Sequence, residues 1–173
     1  MPKTNTITGA ILESLGYVAQ VLPKPFETPY AHVRRIRHIG WAAYRQAVRN
    51  LERRGAVSVI SKNGQKFLEL TKTGQLETLF VKSRLRFPPK WDGKWRLIMF
   101  DIPEDCRNKR NQLRNLLRQN NFFKLQASVF INPYPLNAEA LLYLQKARLM
   151  NYIRILRVDG LDNDKDLRKR FKL

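Results

Sequence analysis

Cysteine is almost missing from this sequence: Cys106 stands alone among 173 residues. One thiol closes no intrachain disulfide, so a packed core must hold the fold, and a reducing cytoplasm is the expected compartment. Cys106 itself reads as a small residue near a helix start. Histidine is nearly as scarce, and His32 and His38 lack the i, i+4 spacing that puts two imidazoles on one helix face for a metal. No glycine-rich run offers a phosphate cradle. No apolar run approaches the ~18–20 residues that span a bilayer. The opening "MPKTNTITGA" carries no apolar leader segment. There is also no long helix with a clean apolar face opposite a lysine-rich one, so a membrane is not an expected partner.

Acids are the other shortage. Fourteen Asp+Glu face 33 Lys+Arg, a net charge of +19. Such a chain repels itself unless a polyanion neutralises it, and a phosphate backbone does so with release of condensed counterions. The excess is not confined to a tail: residues 1–88 hold 15 bases and 5 acids, and residues 89–173 hold 18 and 9. An apolar fraction of 43% is enough to build a core.

What is present divides at "RLRFPPKWDGKW" (84–95), where Pro88 and Pro89 stop a helix and Gly93 adds a turn. The pattern predicts a helical, hairpin-bearing unit over 1–86, a linker over 87–93, a strand–helix alternation over 94–160 and a polar, basic tail over 161–173. That tail is expected to be mobile or docked on a partner.

In the first unit, "ITGAILESLGYVAQVL" (7–22) shows helical spacing through Ile11, Leu12, Leu15 and Val18, and "PYAHVRRIRH" (29–38) predicts a second helix. After Gly40, "AAYRQAVRNLERRG" (42–55) carries four arginines and one acid. On a helical wheel Tyr44, Ala47, Val48 and Leu51 form one stripe, the expected core face. Ala42, Arg45, Gln46, Arg49, Asn50 and Arg53 lie opposite. That face holds the side chains that read base edges, arginine for guanine and asparagine or glutamine for adenine. Arg53 and Arg54 also sit where the helix dipole favours cations, and Gly55 suits a helix C-terminal turn. Trp41 is expected to pack at the turn between the two helices.

Two β-rich runs in "AVSVISKNGQKFLEL" (56–70) flank Asn63-Gly64, a strong hairpin signal, with Lys62 and Lys66 beside the tip. "LTKTGQLETLFVKSRL" then predicts another helix. Helix, turn, helix and basic-tipped hairpin make a winged helix–turn–helix arrangement, in which the second helix enters the major groove and the wing meets the flanking backbone. Double-stranded DNA is therefore the expected partner, read by Arg45, Gln46, Arg49, Asn50 and Arg53 and held by Lys62 and Lys66. A single recognition helix reads only a half-site, so a homodimer on a near-palindrome is expected.

In the second unit "KWRLIMFDIP" reads as a buried strand, "EDCRNKRNQLRNLLRQNN" as a helix with Leu113, Leu116 and Leu117 inward, and "FFKLQASVFIN" (122–132) as an alternating strand. Leu125, Ala127, Val129 and Ile131 would share one face of that strand, unless it bends into two. "NAEALLYLQKARLM" and "NYIRILRVDG" read as a helix and a strand. The alternation suggests a ferredoxin-like βαββαβ domain, and α+β is the fold class of the whole chain.

"FDIPEDCRNKRNQLRNLLRQNNFFKLQASVFINP" resembles the small nuclease subunit of CRISPR adaptation, most sharply at Asp101, Arg110, Leu117, Gln126, Ser128, Val129 and Phe130. The full order, with "YRQAVRNLERRG", "LELTKTG" and "WDGKWRLIMFDIPE", is similar to the phenylacetate-operon repressor (PaaX-like) family. That resemblance implies a homodimeric transcription repressor in which the ferredoxin-like domain dimerises. Members of that family carry a further C-terminal region, so effector sensing is not carried over to a sequence that ends at Leu173. The nuclease resemblance implies the alternative function. In it, Asp101 from two protomers would hold a divalent metal such as Mg²⁺, the only cofactor either reading brings in. Read from its own surroundings, Asp101 is a strand-end turn or interface residue.

Overall fold

The computed structural model describes residues 6–17, 28–62, 64–84 and 90–173, which divide into two compact units at Lys82/Ser83. Helix and sheet are both present, as expected for an α+β chain. Among the described residues no helix is long and apolar enough to cross a membrane. The Pro88-Pro89 stretch lies outside the described residues.

The first unit is built on α1 (Ile7–Tyr17), whose Ala10, Ile11, Leu12 and Leu15 are buried. Val18, expected on the same stripe, lies outside the described residues. α1 packs against α2 (Pro29–Arg37), α3 (Trp41–Arg53) and α4 (Lys72–Lys82). Thr28 starts α2 by accepting the Ala31 N–H at 3.2 Å, and Pro29 occupies the first helical position, where its missing N–H costs nothing. His38 ends α2 in the left-handed region (φ 50°). Only His38, Ile39 and Gly40 separate α2 from α3.

α3 ends in a Schellman turn. The Gly55 N–H reaches Glu52 O at 2.8 Å and the Ala56 N–H reaches Leu51 O at 2.9 Å. Gly55 holds φ +67°, a conformation that side-chained residues rarely adopt. The turn feeds β1 (Val57–Lys62), which pairs antiparallel with β2 (Gln65–Leu70) across the two-residue Asn63-Gly64 loop, with Gly64 at φ +76°.

"LTKTG" then locks α4 to the end of α3. The Thr71 hydroxyl donates to Gly55 O and accepts the Gly74 N–H at 3.1 Å, and the Thr71 N–H reaches Ala56 O at 3.2 Å. A Cβ on Gly74 would collide with the Ala56 carbonyl, so this close approach requires glycine.

The second unit runs β3 (Trp95–Phe100), α5 (Arg107–Gln119), β4 (Phe123–Gln126), β5 (Val129–Asn132), α6 (Ala138–Lys146), β6 (Ile153–Val158) and α7 (Lys165–Phe171). The sheet order is β4-β5-β3-β6 and every pairing is antiparallel. In this register Ile98 faces Phe130 and Ile155, whereas Leu97 faces Ile131 and Leu156, so the two sets occupy opposite sheet faces. α5 covers the Ile98 side, with the Arg114 guanidinium 5.9 Å from the Phe100 ring centroid and Leu113, Leu116 and Leu117 buried. α6 buries Ala140, Tyr143 and Leu144.

One alternative is decided and one expectation needs correction. Residues 122–132 do bend into two strands, the hairpin β4–β5, with Gln126 opposite Val129 and Ala127 exposed in the turn. Alternation survives a tight turn in the sequence, which is why a single strand could be read through it. Residues 161–173 are not a free tail. α7 packs across the sheet face opposite α5, where Leu167 joins Trp95 and Ile131 in a buried cluster flanked by Trp91, Leu161 and Phe171. Its polar look concealed a one-turn apolar stripe, Leu167 and Phe171, on an otherwise basic helix.

Candidate nucleic-acid interface

α3 positions its polar face by anchoring the other one. Leu51 is fully buried, Tyr44 and Ala47 are buried, and Val48 packs against the same core. Full burial of side chains of this size is worth ~1.5–3 kcal/mol each, enough to fix the rotation of the helix about its axis. Burial also pushes the Tyr44 phenol up from its ordinary range, so it stays neutral.

The opposite face then points outward. Arg45, Gln46, Arg49 and Arg53 are exposed and Asn50 is half-buried. Asn50 Oδ1 is the hub of this face: it accepts from Arg53 Nη2 at 3.1 Å and, more weakly, from Gln46 Nε2 at 3.4 Å. Arg45 and Arg49 have no hydrogen-bonding or ionic partner among the described residues, so both guanidinium forks are free for a ligand. Lys62 and Lys66 stand at the hairpin end, where Lys62 is opposite Gln65 and Lys66 opposite Ser61. Their side chains, like Asn63, lie outside the described set.

Three features of this surface escaped the sequence reading. Arg54, adjacent to Arg53, does not belong to the free face. It pairs with Glu77 of α4 at 3.0 Å, a contact between residues 23 positions apart that no local pattern signals. The Thr71–Gly74 lock is a second such long-range contact. The third is an aromatic cluster at the α2–α3 turn: Trp41 meets Tyr30 edge-on at 4.7 Å and stacks on Tyr44 at 5.6 Å. Packing of Trp41 at the turn was expected, but not its two ring partners nor its 52% exposure beside the start of the polar face.

Asp101 lies at the end of β3, in the second unit. Its backbone N–H donates to Tyr152 O at 3.0 Å and its side chain is exposed. Ser128, Asn151, Tyr152 and Arg154 share its shallow cleft. The carboxylate has no hydrogen bond or ion pair among the described residues. The two arginines nearest in the sequence pattern are committed elsewhere. Arg96 binds Asp92 at 2.6 Å, and Arg110 binds Glu104 at 2.8 Å and Ile102 O at 2.7 Å. Among the described residues no three His, Cys, Asp or Glu side chains gather into a metal-sized group. Asp101 is the one acidic side chain lining this cleft among the described residues.

Residues 88–169 match the family model described as the PaaX protein central Cas2-like domain. No curated protein matches the chain.

Proposed function

From the match of residues 88–169 to the PaaX central Cas2-like domain, we propose that the chain is a PaaX-like DNA-binding transcription regulator, a homodimeric repressor acting on a near-palindromic operator. The observation that carries the reading is the exposed Arg45–Arg49 face of α3, held outward by the burial of Tyr44, Ala47 and Leu51 on the opposite side. On this reading the first unit is a winged helix–turn–helix. α2 and α3 supply the helix pair, α3 enters the major groove, and the β1–β2 hairpin reaches the flanking backbone through Lys62 and Lys66. The second unit is a ferredoxin-like dimerisation domain, supported by its β-α-β-β-α-β order and antiparallel β4-β5-β3-β6 sheet. α3 has 13 residues, about 20 Å, which spans one half-site, so two copies are needed to read an operator. The function requires no cofactor.

The test is selection of bound duplexes from a random library, followed by binding of Gln46→Ala to the selected site and to random DNA. Loss confined to the selected site, by ~1–3 kcal/mol, supports base reading. Equal loss on both would place the recognition surface elsewhere.

A second reading rests on the unpartnered Asp101 carboxylate. In a dimer two such carboxylates could meet and complete a metal site for phosphodiester cleavage, which neither chain can build alone.

A further inference from the structure

Apart from α3 and Asp101, the second unit carries an open groove of about 1040 Å³. Five exposed cations line it: Arg84, Arg118 at the end of α5, Lys124 on β4, Arg170 at the end of α7 and Lys172 just beyond. No acidic residue lines it. Between the cations stand the half-buried rings of Phe123, Tyr134 and Phe171. Arg118, Lys124 and Lys172 have no hydrogen-bonding or ionic partner among the described residues. Arg170 sits over an aromatic ring, its guanidinium carbon 4.2 Å from the Phe123 ring centroid.

A plainer account is available for part of this. Helix carbonyl ends favour cations, which rationalises Arg118 and Arg170 individually. It does not explain Lys124 on a strand, nor a shared concavity without one counter-charge. Like charges held together this way repel one another until an anion arrives. The groove is larger than most small-molecule pockets, and its rings ask for a flat apolar partner as well as a negative charge. Phosphate joined to a planar ring meets both demands, and basic grooves interleaved with aromatics bind unpaired nucleotides in this manner. Duplex DNA does not, because its rings are stacked on one another.

We propose that this groove binds a nucleotide, its phosphate on Arg118, Lys124 and Lys172 and its base against Tyr134 and Phe171. The nucleotide can be free or part of an unpaired strand. The site is separate from the duplex-reading face and does not depend on it.

The experiment titrates the full-length chain with ATP, with a short fluorescein-labelled oligothymidine and with inorganic pyrophosphate. Binding of ATP identifies a free nucleotide as the ligand, and binding of the oligothymidine alone identifies an unpaired strand. Arg118→Glu with Lys172→Glu should weaken whichever binds by at least about tenfold and flatten its salt dependence. Tyr134→Leu, which keeps apolar bulk and removes the ring, should weaken nucleotide binding by about tenfold and leave pyrophosphate unchanged. Arg45→Ala with Arg49→Ala should leave nucleotide binding intact. Circular dichroism melts establish that each variant is folded. Unchanged binding in the charge-reversed variant overturns the proposal. So does pyrophosphate binding as tightly as the nucleotide, with Tyr134→Leu silent.

Discussion

Neighbouring arginines on one helix do different work, and the difference is whether the chain already supplies a partner. Arg49 is exposed and unpartnered among the described residues, whereas Arg54 is held by a Glu77 side chain only 14% exposed. Arg49→Ala should therefore leave stability within about 0.5 kcal/mol and cost ~1–3 kcal/mol on the preferred duplex. Arg54→Ala should do the reverse, lowering thermal stability by up to about 1 kcal/mol with a smaller effect on site choice. Denaturant melts paired with binding isotherms separate the two. Gly74→Ala should cost ~1–3 kcal/mol, because the added methyl group meets the Ala56 carbonyl and must push α4 away from the end of α3. Asp101→Asn removes only charge from an exposed, unpartnered side chain. Duplex binding should survive it, and incubation with labelled RNA and DNA in Mg²⁺ or Mn²⁺ should show no cleavage by either form. Cutting by the wild type that vanishes in Asp101→Asn would establish the nuclease reading instead.

At the scale of elements, the docking of α7 depends on a titrating group. The Asp164 carboxyl is held below the usual carboxylate range, first by the Arg168 guanidinium at 2.9 Å and then by the Trp95 indole N–H at 3.1 Å, against an opposing effect of burial. A folded pKa below the unfolded one means that Asp164 stabilises α7 fully above the unfolded value of about 3.9. That contribution is lost as pH falls through the lower folded value. Trp95 is fully buried under α7, and Trp91 lies against Arg168 at 4.8 Å. Tryptophan emission should therefore shift to longer wavelength in an acid titration below about pH 4. Asp164→Asn should remove that acid step and weaken α7 docking at neutral pH.

At the scale of the whole molecule, the sheet face that α7 leaves open presents Met99 on β3 at 43% and Leu156 on the edge strand β6 at 39% exposure, both apolar. This supports a second copy as the partner of the second unit. Sedimentation at micromolar protein should give a dimer, and Met99→Arg with Leu156→Arg should give a folded monomer. That monomer should bind the near-palindrome no better than an isolated half-site. A monomer at every accessible concentration in the wild type would remove the homodimer from the proposed function. With a net charge of +19, the affinity of either form for DNA should fall steeply with salt.

The core stripe of α3, the hairpin at Asn63-Gly64 and the left-handed turn at Gly55 were legible in the sequence. Each is local: helical periodicity decides which residues face inward, and a turn needing positive φ selects its own residues. From the same wheel came the candidate face of Arg45, Gln46, Arg49, Asn50 and Arg53, since whatever lies opposite a buried stripe must meet solvent. Tertiary structure alone decided which cations remain free. Glu77, 23 positions away, claims Arg54. It also turned a basic tail into a packed helix and gathered Arg118, Lys124, Arg170 and Lys172 around one groove. These contacts join positions distant in sequence. Their formation depends on how sheet register and helix packing bring side chains within a few ångströms, and no pattern along the chain encodes that distance.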